Sequence, residues 1–128
     1  MNRVVLDASA LLAILNQEAG AETLTPELLS AAATSTVNLV EVHGKLVRRG
    51  LNADEAWEAT LSPIREAVAF TSEHARLTGD LAAQTRALGL SLGDRACLAL
   101  GLALKAPVYT ADRSWKKLKV SVRIHVIR

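Results

Sequence analysis

Val4-Val5-Leu6-Asp7-Ala8-Ser9-Ala10-Leu11-Leu12-Ala13-Ile14-Leu15 is the stretch whose reading decides the fold. Arg3 to Leu6 is a β-branched and aliphatic run, which predicts a short buried strand. Asp7 ends it. Ala8 to Asn16 then predicts a helix rich in Ala and Leu, residues that favour helices. A buried strand passing into a helix through an acid is a βα unit with a carboxylate at the strand's carboxyl end.

The same alternation recurs along the chain. Gly20 breaks the first helix, and Pro26 suits the first turn of a second, running to about Ala32. Thr34 to Thr36 is a short strand. Val37 to Arg49 is helical, with Val37, Val40, Gly44 and Val47 on one face, and Gly50 stops it. Asn52 to Glu55 has the pattern of a capping box for a helix reaching about Pro63. Ala67 to Phe70 is a strand. Ser72 caps a long helix from Glu73 to Leu88 that ends at Gly89. Ser91 opens another from Leu92 to Lys105. Pro107 to Thr110 is a clear strand, Asp112 to Leu118 a turn or short helix, and Val120 to Ile127 a last strand at an edge. Alternating strands and helices predict a single three-layer α/β/α domain over residues 1–128, with a central, mainly parallel sheet.

Composition narrows the class. The 128 residues are 50% hydrophobic and 22% charged, which suits a folded core rather than a disordered chain. With two Trp, one Tyr and one Phe, that core must be aliphatic. No run approaches the ~18 apolar residues that a membrane span needs. Arg3 followed by Val4 to Leu15 has the look of a signal peptide. Asp7 interrupts the apolar run early, however, and no small-residue cleavage site follows, so the stretch reads as mature structure. The single cysteine, Cys97, lies in an apolar helical run and reads as a packed thiol. It cannot form an intrachain disulfide, and a reducing, cytoplasmic setting fits.

Four acids stand out by position. Asp7 and Asp112 follow strands and fall at the carboxyl edge of the sheet, where open α/β sheets bind ligands. Glu41 shares the stripe of Val37, Val40 and Gly44, and Asp94 that of Cys97, Leu98 and Gly101; acids are seldom placed on apolar faces unless paired or bound to a metal. Each also has a plain structural reading. Asp7 suits a helix N-cap and Asp112 a turn. Glu41 can pair with Lys45 four residues on, worth about 0.3 to 0.5 kcal/mol. Asp94 completes the capping box Ser91-Leu92-Gly93-Asp94.

Together the four point further. Converging carboxylates repel unless a cation sits among them. An all-oxygen set selects Mg²⁺ or Mn²⁺ over zinc, and His43, His74 and His125 match no zinc spacing. There is no phosphate-binding P-loop and no G-x-S-x-G nucleophile elbow. A carboxylate-held Mg²⁺ suits hydrolysis of phosphodiesters.

Four segments then carry a resemblance: V-V-L-D-A-S-A-L-L-A-I-L at 4–15, S-T-V-N-L-V-E-V at 35–42, L-G-L-S-L-G-D-R-A-C-L-A-L-G at 88–101 and V-Y-T-A-D at 108–112. In order and spacing the chain resembles PIN-domain ribonucleases, specifically the VapC-type toxins of toxin–antitoxin pairs, over essentially its whole length. The resemblance implies that Asp7, Glu41, Asp94 and Asp112 form a catalytic quartet binding Mg²⁺ or Mn²⁺. Ser9 and Thr110 match the hydroxyl residues that orient the acids. It also implies a homodimer, a small antitoxin partner and an RNA substrate, often a tRNA. Gly101 stands where Ala is more usual.

The stretch from Arg113 to Arg128 carries six cations and no acid. Arg113, Lys116 and Lys117 are its candidates for holding RNA phosphates, against the plainer reading of a solvated surface. Trp115 either packs or stacks on a base. Trp57 reads as core or interface. Two other functions remain: a PIN-like RNA- or protein-binding module without nuclease activity, and a phosphoryl-transfer enzyme on a similar sheet. The second lacks its pattern, since Ser9 stands where a haloacid-dehalogenase-like phosphatase needs an acid.

Overall fold

The computed structural model describes residues 2–128. It holds five strands, β1 (Val4–Leu6), β2 (Ala32–Ser35), β3 (Glu66–Val68), β4 (Val108–Thr110) and β5 (Ile124–Val126). Seven α-helices accompany them: α1 (Ala8–Leu15), α2 (Pro26–Leu29), α3 (Thr36–Arg48), α4 (Ala53–Leu61), α5 (Ser72–Asp80), α6 (Ala82–Thr85) and α7 (Leu92–Leu104). The strands form one sheet in the order β3-β2-β1-β4-β5, with every pairing parallel.

β1 is central. Val5 stands opposite Ala33 on one side and Val108 on the other. Its two innermost residues point to opposite faces, as strand geometry requires. Leu6 joins one core with Ala10, Leu11, Leu39, Val42 and Leu46, while Val5 joins the other with Leu81, Leu98, Leu100, Val108 and Trp115. The chain runs outward from β1 through β2 to β3, then returns to lay β4 against the free side of β1. The order therefore reverses between β1 and β4. In open parallel sheets the carboxyl ends of two such strands open a crevice suited to a ligand.

Several expectations shift. The second helix stops at Leu29, because Ala32 and Ala33 are drawn into β2, where all four residues are buried between the layers. The long helix expected to Leu88 is broken into α5, α6 and a 3-10 turn (Arg86–Leu88), and its cap is Thr71 rather than Ser72. Hydroxyls of Thr78 and Thr85 bond back to the carbonyls of His74 and Leu81, a contact that competes with regular helix geometry. The last strand shrinks to β5 at the edge.

The face of α3 differs most. Its buried residues are Asn38, Leu39, Val42 and Leu46, whereas Val40 is 68% and Val47 39% exposed. Glu41 therefore sits at the solvent-facing side of α3, not on a core stripe. Of the α3 valines, Val42 faces the core while Val40 and Val47 face outward.

Candidate active site

Asp7 is the most constrained acid. It ends β1 and caps α1, accepting the Ala10 N–H at 2.8 Å. Ser9 Oγ lies 2.7 and 2.9 Å from its two oxygens, and Thr110 Oγ1, at the end of β4, donates at 2.6 Å. The two hydroxyls are themselves oriented. Ser9 Oγ accepts the Ala111 N–H at 2.9 Å, and Thr110 Oγ1 accepts the Asp112 N–H at 3.1 Å. With these acceptor positions filled by backbone, both hydroxyl protons are free to turn toward Asp7. Despite these donors, burial lifts the Asp7 pKa from 3.8 to about 6, with a smaller upward push from the charge of Asp94. Desolvation outweighs hydrogen bonding here because the side chain is almost wholly removed from water.

Glu41 comes from α3 and Asp94 from the first turn of α7. Partial burial raises the Glu41 pKa, and the charge of Asp94 raises it further. Lys45 lowers it only weakly and forms no ion pair with it; the ion pairs among the described residues are Arg3–Glu66, Arg76–Asp80 and Arg128–Glu18. Asp94 does close the capping box: its Oδ2 accepts the Ser91 N–H at 3.0 Å, and its own N–H reaches Ser91 Oγ at 3.1 Å. The cap occupies one of its oxygens and leaves the other. Cys97, one turn along α7, is fully buried beneath the acids, and its thiol pKa is pushed well up by burial and by Asp7, Asp94 and Glu41 in turn. It is a packed thiol, not a nucleophile.

Asp112 stands apart. It is exposed and caps the 3-10 helix Arg113–Lys117, its Oδ1 accepting the Ser114 N–H at 2.9 Å and the Ser114 hydroxyl at 2.7 Å. Its charge is not among those acting on Asp7 or Glu41. Its link to the others is the backbone bond to Thr110. Lys116 and Lys117 are exposed on the same 3-10 helix, while the Arg113 guanidinium donates to the Arg128 carbonyl at 3.2 Å. Trp115 is buried in the core, which removes it as a stacking surface.

Asn38 escaped the sequence reading. It is buried on α3, one turn before Glu41, and its Nδ2 donates to the Gly93 carbonyl at 3.0 Å. Its only signal in the sequence is the spacing of three residues from Glu41, which puts both on one helix face.

The donor set suits a hard divalent cation: the charge of Asp94 raises the pKa of both Asp7 and Glu41, and Lys45 offsets only part of this at Glu41. Among the described residues, however, no three acidic, His or Cys side chains stand close enough together to hold a metal as placed. Closing around one cation would take side-chain rotation of these acids, with the exposed Asp112 swung in from the rim. A hollow of about 330 Å³ beyond the far end of α7, lined by Lys105, Pro107, Val122 and Arg123 among others, contains no carboxylate and is not this site.

No curated protein is similar enough in sequence to match. Solved structures are. VapBC2 from Rickettsia felis, bound to a DNA fragment from its promoter, matches with a TM-score of 0.74 at 17% identity, over 96% of this chain and 97% of the other. DNA-bound VapBC from Salmonella typhimurium matches over 100% of both chains, with a TM-score of 0.76 at 17% identity. VapC20 from Mycobacterium tuberculosis, a sarcin-ricin loop cleaving toxin, matches at 0.70 and 21% identity, over 94% of this chain and 98% of the other. At such identities the likeness is one of fold. The PIN domain profile spans residues 4–120, from β1 past the 3-10 helix that Asp112 caps, and by that match the chain belongs to the PIN domain family.

Proposed function

We propose that this single domain, residues 1–128, is an Mg²⁺- or Mn²⁺-dependent endoribonuclease acting as the toxin of a VapBC-type toxin–antitoxin pair. The observation that carries the reading is the seat of Asp7 at the carboxyl end of β1, buried and held by Ser9, Thr110 and the Ala10 N–H, with the Glu41 carboxylate against Gly93 in the first turn of α7, next to Asp94. Membership of the PIN family and the fold shared with VapBC complexes and VapC20 support the same class.

In this reading Asp7, Glu41 and Asp94 hold the cation, and Asp112 completes the set from the rim. A cation held there would lower the pKa of water and neutralise charge developing on the phosphate. Asp7 would bind the cation as a carboxylate from the end of β1. Ser9 and Thr110 keep its carboxyl group in one orientation. Lys116 and Lys117 supply cations for RNA phosphates next to Asp112.

The substrate is RNA, with tRNA the expectation that the family resemblance gives; VapC20, a sarcin-ricin loop cleaving toxin, supports an RNA target. The partners are a small antitoxin that blocks the site and a second copy of the chain. Val40 and Leu92, both exposed and adjacent in sequence to Glu41 and Gly93, give such a partner apolar surface to cover. No helix among the described residues is long and apolar enough to cross a membrane, and a cytoplasmic setting fits the lone buried thiol.

Purified protein incubated with total RNA tests the reading. Cleavage at discrete ends is expected with Mn²⁺ or Mg²⁺, and none with a chelator or in Asp7→Asn. One observation favours a second reading, a PIN-like RNA- or protein-binding module: the acids as placed do not close around a cation. RNA binding that persists in chelator, with no product under either metal, would establish that reading instead.

A further inference from the structure

We infer that Gly93 and Asn38 are positioning residues for Glu41, setting where its carboxylate lies against the first turn of α7. The inference rests on the proposed metal site and adds two residues to it.

Gly93 is the second residue of α7, directly before Asp94, and it is buried. A Cβ placed on Gly93 would fall inside the Glu41 carboxylate, against Oε1 and Cδ. Glu41 therefore occupies the volume that any other residue's side chain would fill. Nothing in the backbone calls for glycine here: the residue lies within a regular helix and has no positive φ. Glycine costs a helix roughly 1 kcal/mol relative to alanine, so the open space has to be explained by what fills it.

Asn38 fixes the other half of the contact. Its Nδ2 bond to the Gly93 carbonyl ties α3 to the first turn of α7, across 55 residues of sequence. Its Oδ1 is buried with no partner among the described residues. An unsatisfied buried amide oxygen is costly, so the side chain is held there against its own solvation. The bond holds the part of α3 that carries Glu41 beside the turn of α7 that carries Asp94. The anionic carboxylate also lies where the helix dipole of the 13-residue α7 favours negative charge.

The atoms in conflict with a Cβ at Gly93 are the far end of a flexible side chain, not backbone. Gly93→Ala should therefore leave the fold intact and displace Glu41. A substitution that damages the core would behave otherwise.

Two measurements on the full chain test this. The first is a crystal structure of Gly93→Ala without metal. The expected result is an unchanged α7 with the Glu41 carboxylate moved off its first turn; an unmoved Glu41, a shifted α7 or an unfolded variant would overturn the inference. The second is calorimetric titration with Mn²⁺ of the parent, Gly93→Ala, Glu41→Asp and the double variant. Gly93→Ala should weaken Mn²⁺ binding about tenfold, the scale for residues that orient a ligand. In Glu41→Asp the shorter side chain vacates the space, so adding Gly93→Ala should cost nothing further. Equal additional losses in both backgrounds would overturn the inference. A parent that binds no Mn²⁺ would contradict the metal reading, while the crystallographic result would still decide the role of Gly93.

Discussion

Asp7 and Asp112 lie at the ends of the adjacent strands β1 and β4, yet they are held in opposite ways. Asp7 is buried, and its carboxyl is held by a backbone N–H and two hydroxyls, each itself fixed by a backbone N–H from the turn after β4. Asp112 is exposed, and its carboxylate accepts only from Ser114, two residues along its own turn, among the described residues. The first arrangement needs the whole sheet to exist; the second needs one turn. The difference teaches which acid carries the energetic strain of the site. Asp7 is kept where its charge is disfavoured, and Asp112 lies in contact with water.

The largest expected effect breaks the Asp7 side. Asp7→Asn removes a carboxylate from the heart of the site, and a loss on the order of a thousandfold in RNA cleavage is expected from losing several kcal/mol of charge stabilisation. Circular dichroism should report an intact fold, since Asn can still cap α1. Asp112→Asn should lose less, because an exposed side chain on a single turn contributes less to the preformed field.

The next effect is on stability against pH. The folded-state pKa of Asp7, about 6, lies above the unfolded value of 3.8, so the folded state binds this proton more tightly. The contribution of Asp7 is thus fully present below pH 3.8 and is lost as pH rises through 6. The window spans about 2 units, which corresponds to roughly 3 kcal/mol. Melts of the metal-free parent and Asp7→Asn should diverge across that window, with the parent losing ground as pH rises. Parallel curves from pH 3.5 to 7 would show that Asp7 is not held in its neutral form.

A smaller pair sharpens the contrast. Thr110→Val strips Asp7 of its shortest donor and leaves the Asp112 N–H unpaired, at an expected cost of about 1–3 kcal/mol in denaturant unfolding. Ser114→Ala removes both the hydroxyl bond to Asp112 and nothing from the core, and should stay within about 0.5 kcal/mol. Equal costs would erase the distinction between the two acids. The smallest effect concerns the surface beside Asp112. Lys116→Ala and Lys117→Ala should each reduce the salt slope of RNA binding by about one, with little effect on stability.

How far the sequence could be read follows the same divide. The β1–Asp7–α1 unit was readable because a β-branched run, an acid and an Ala/Leu helix each carry a local signal. The caps at Asn52 and Ser91 were readable for the same reason. α3 was misjudged because Val40 and Val47 mimic a core stripe, while the buried face is marked by Asn38 and Leu39, one of them polar. Ala32 and Ala33 read as helix until neighbouring strands recruited them into β2. The hydroxyl bonds from Ser9 and Thr110 to one carboxylate, and the seat of Glu41 against Gly93, join residues too far apart in sequence for any local pattern to reveal. Arg113 is marked for RNA by charge alone; it is exposed, and its Nε donates to the Arg128 carbonyl.

The account stands or falls on whether Asp7, Glu41 and Asp94 share one cation. Calorimetric titration of the metal-free protein with Mn²⁺ at pH 7.5 asks this directly. A single class of site is expected in the parent, weakened at least tenfold in each of Asp7→Asn, Glu41→Gln and Asp94→Asn. Mn²⁺ binding that is absent in the parent, or unchanged in Asp7→Asn, would contradict it.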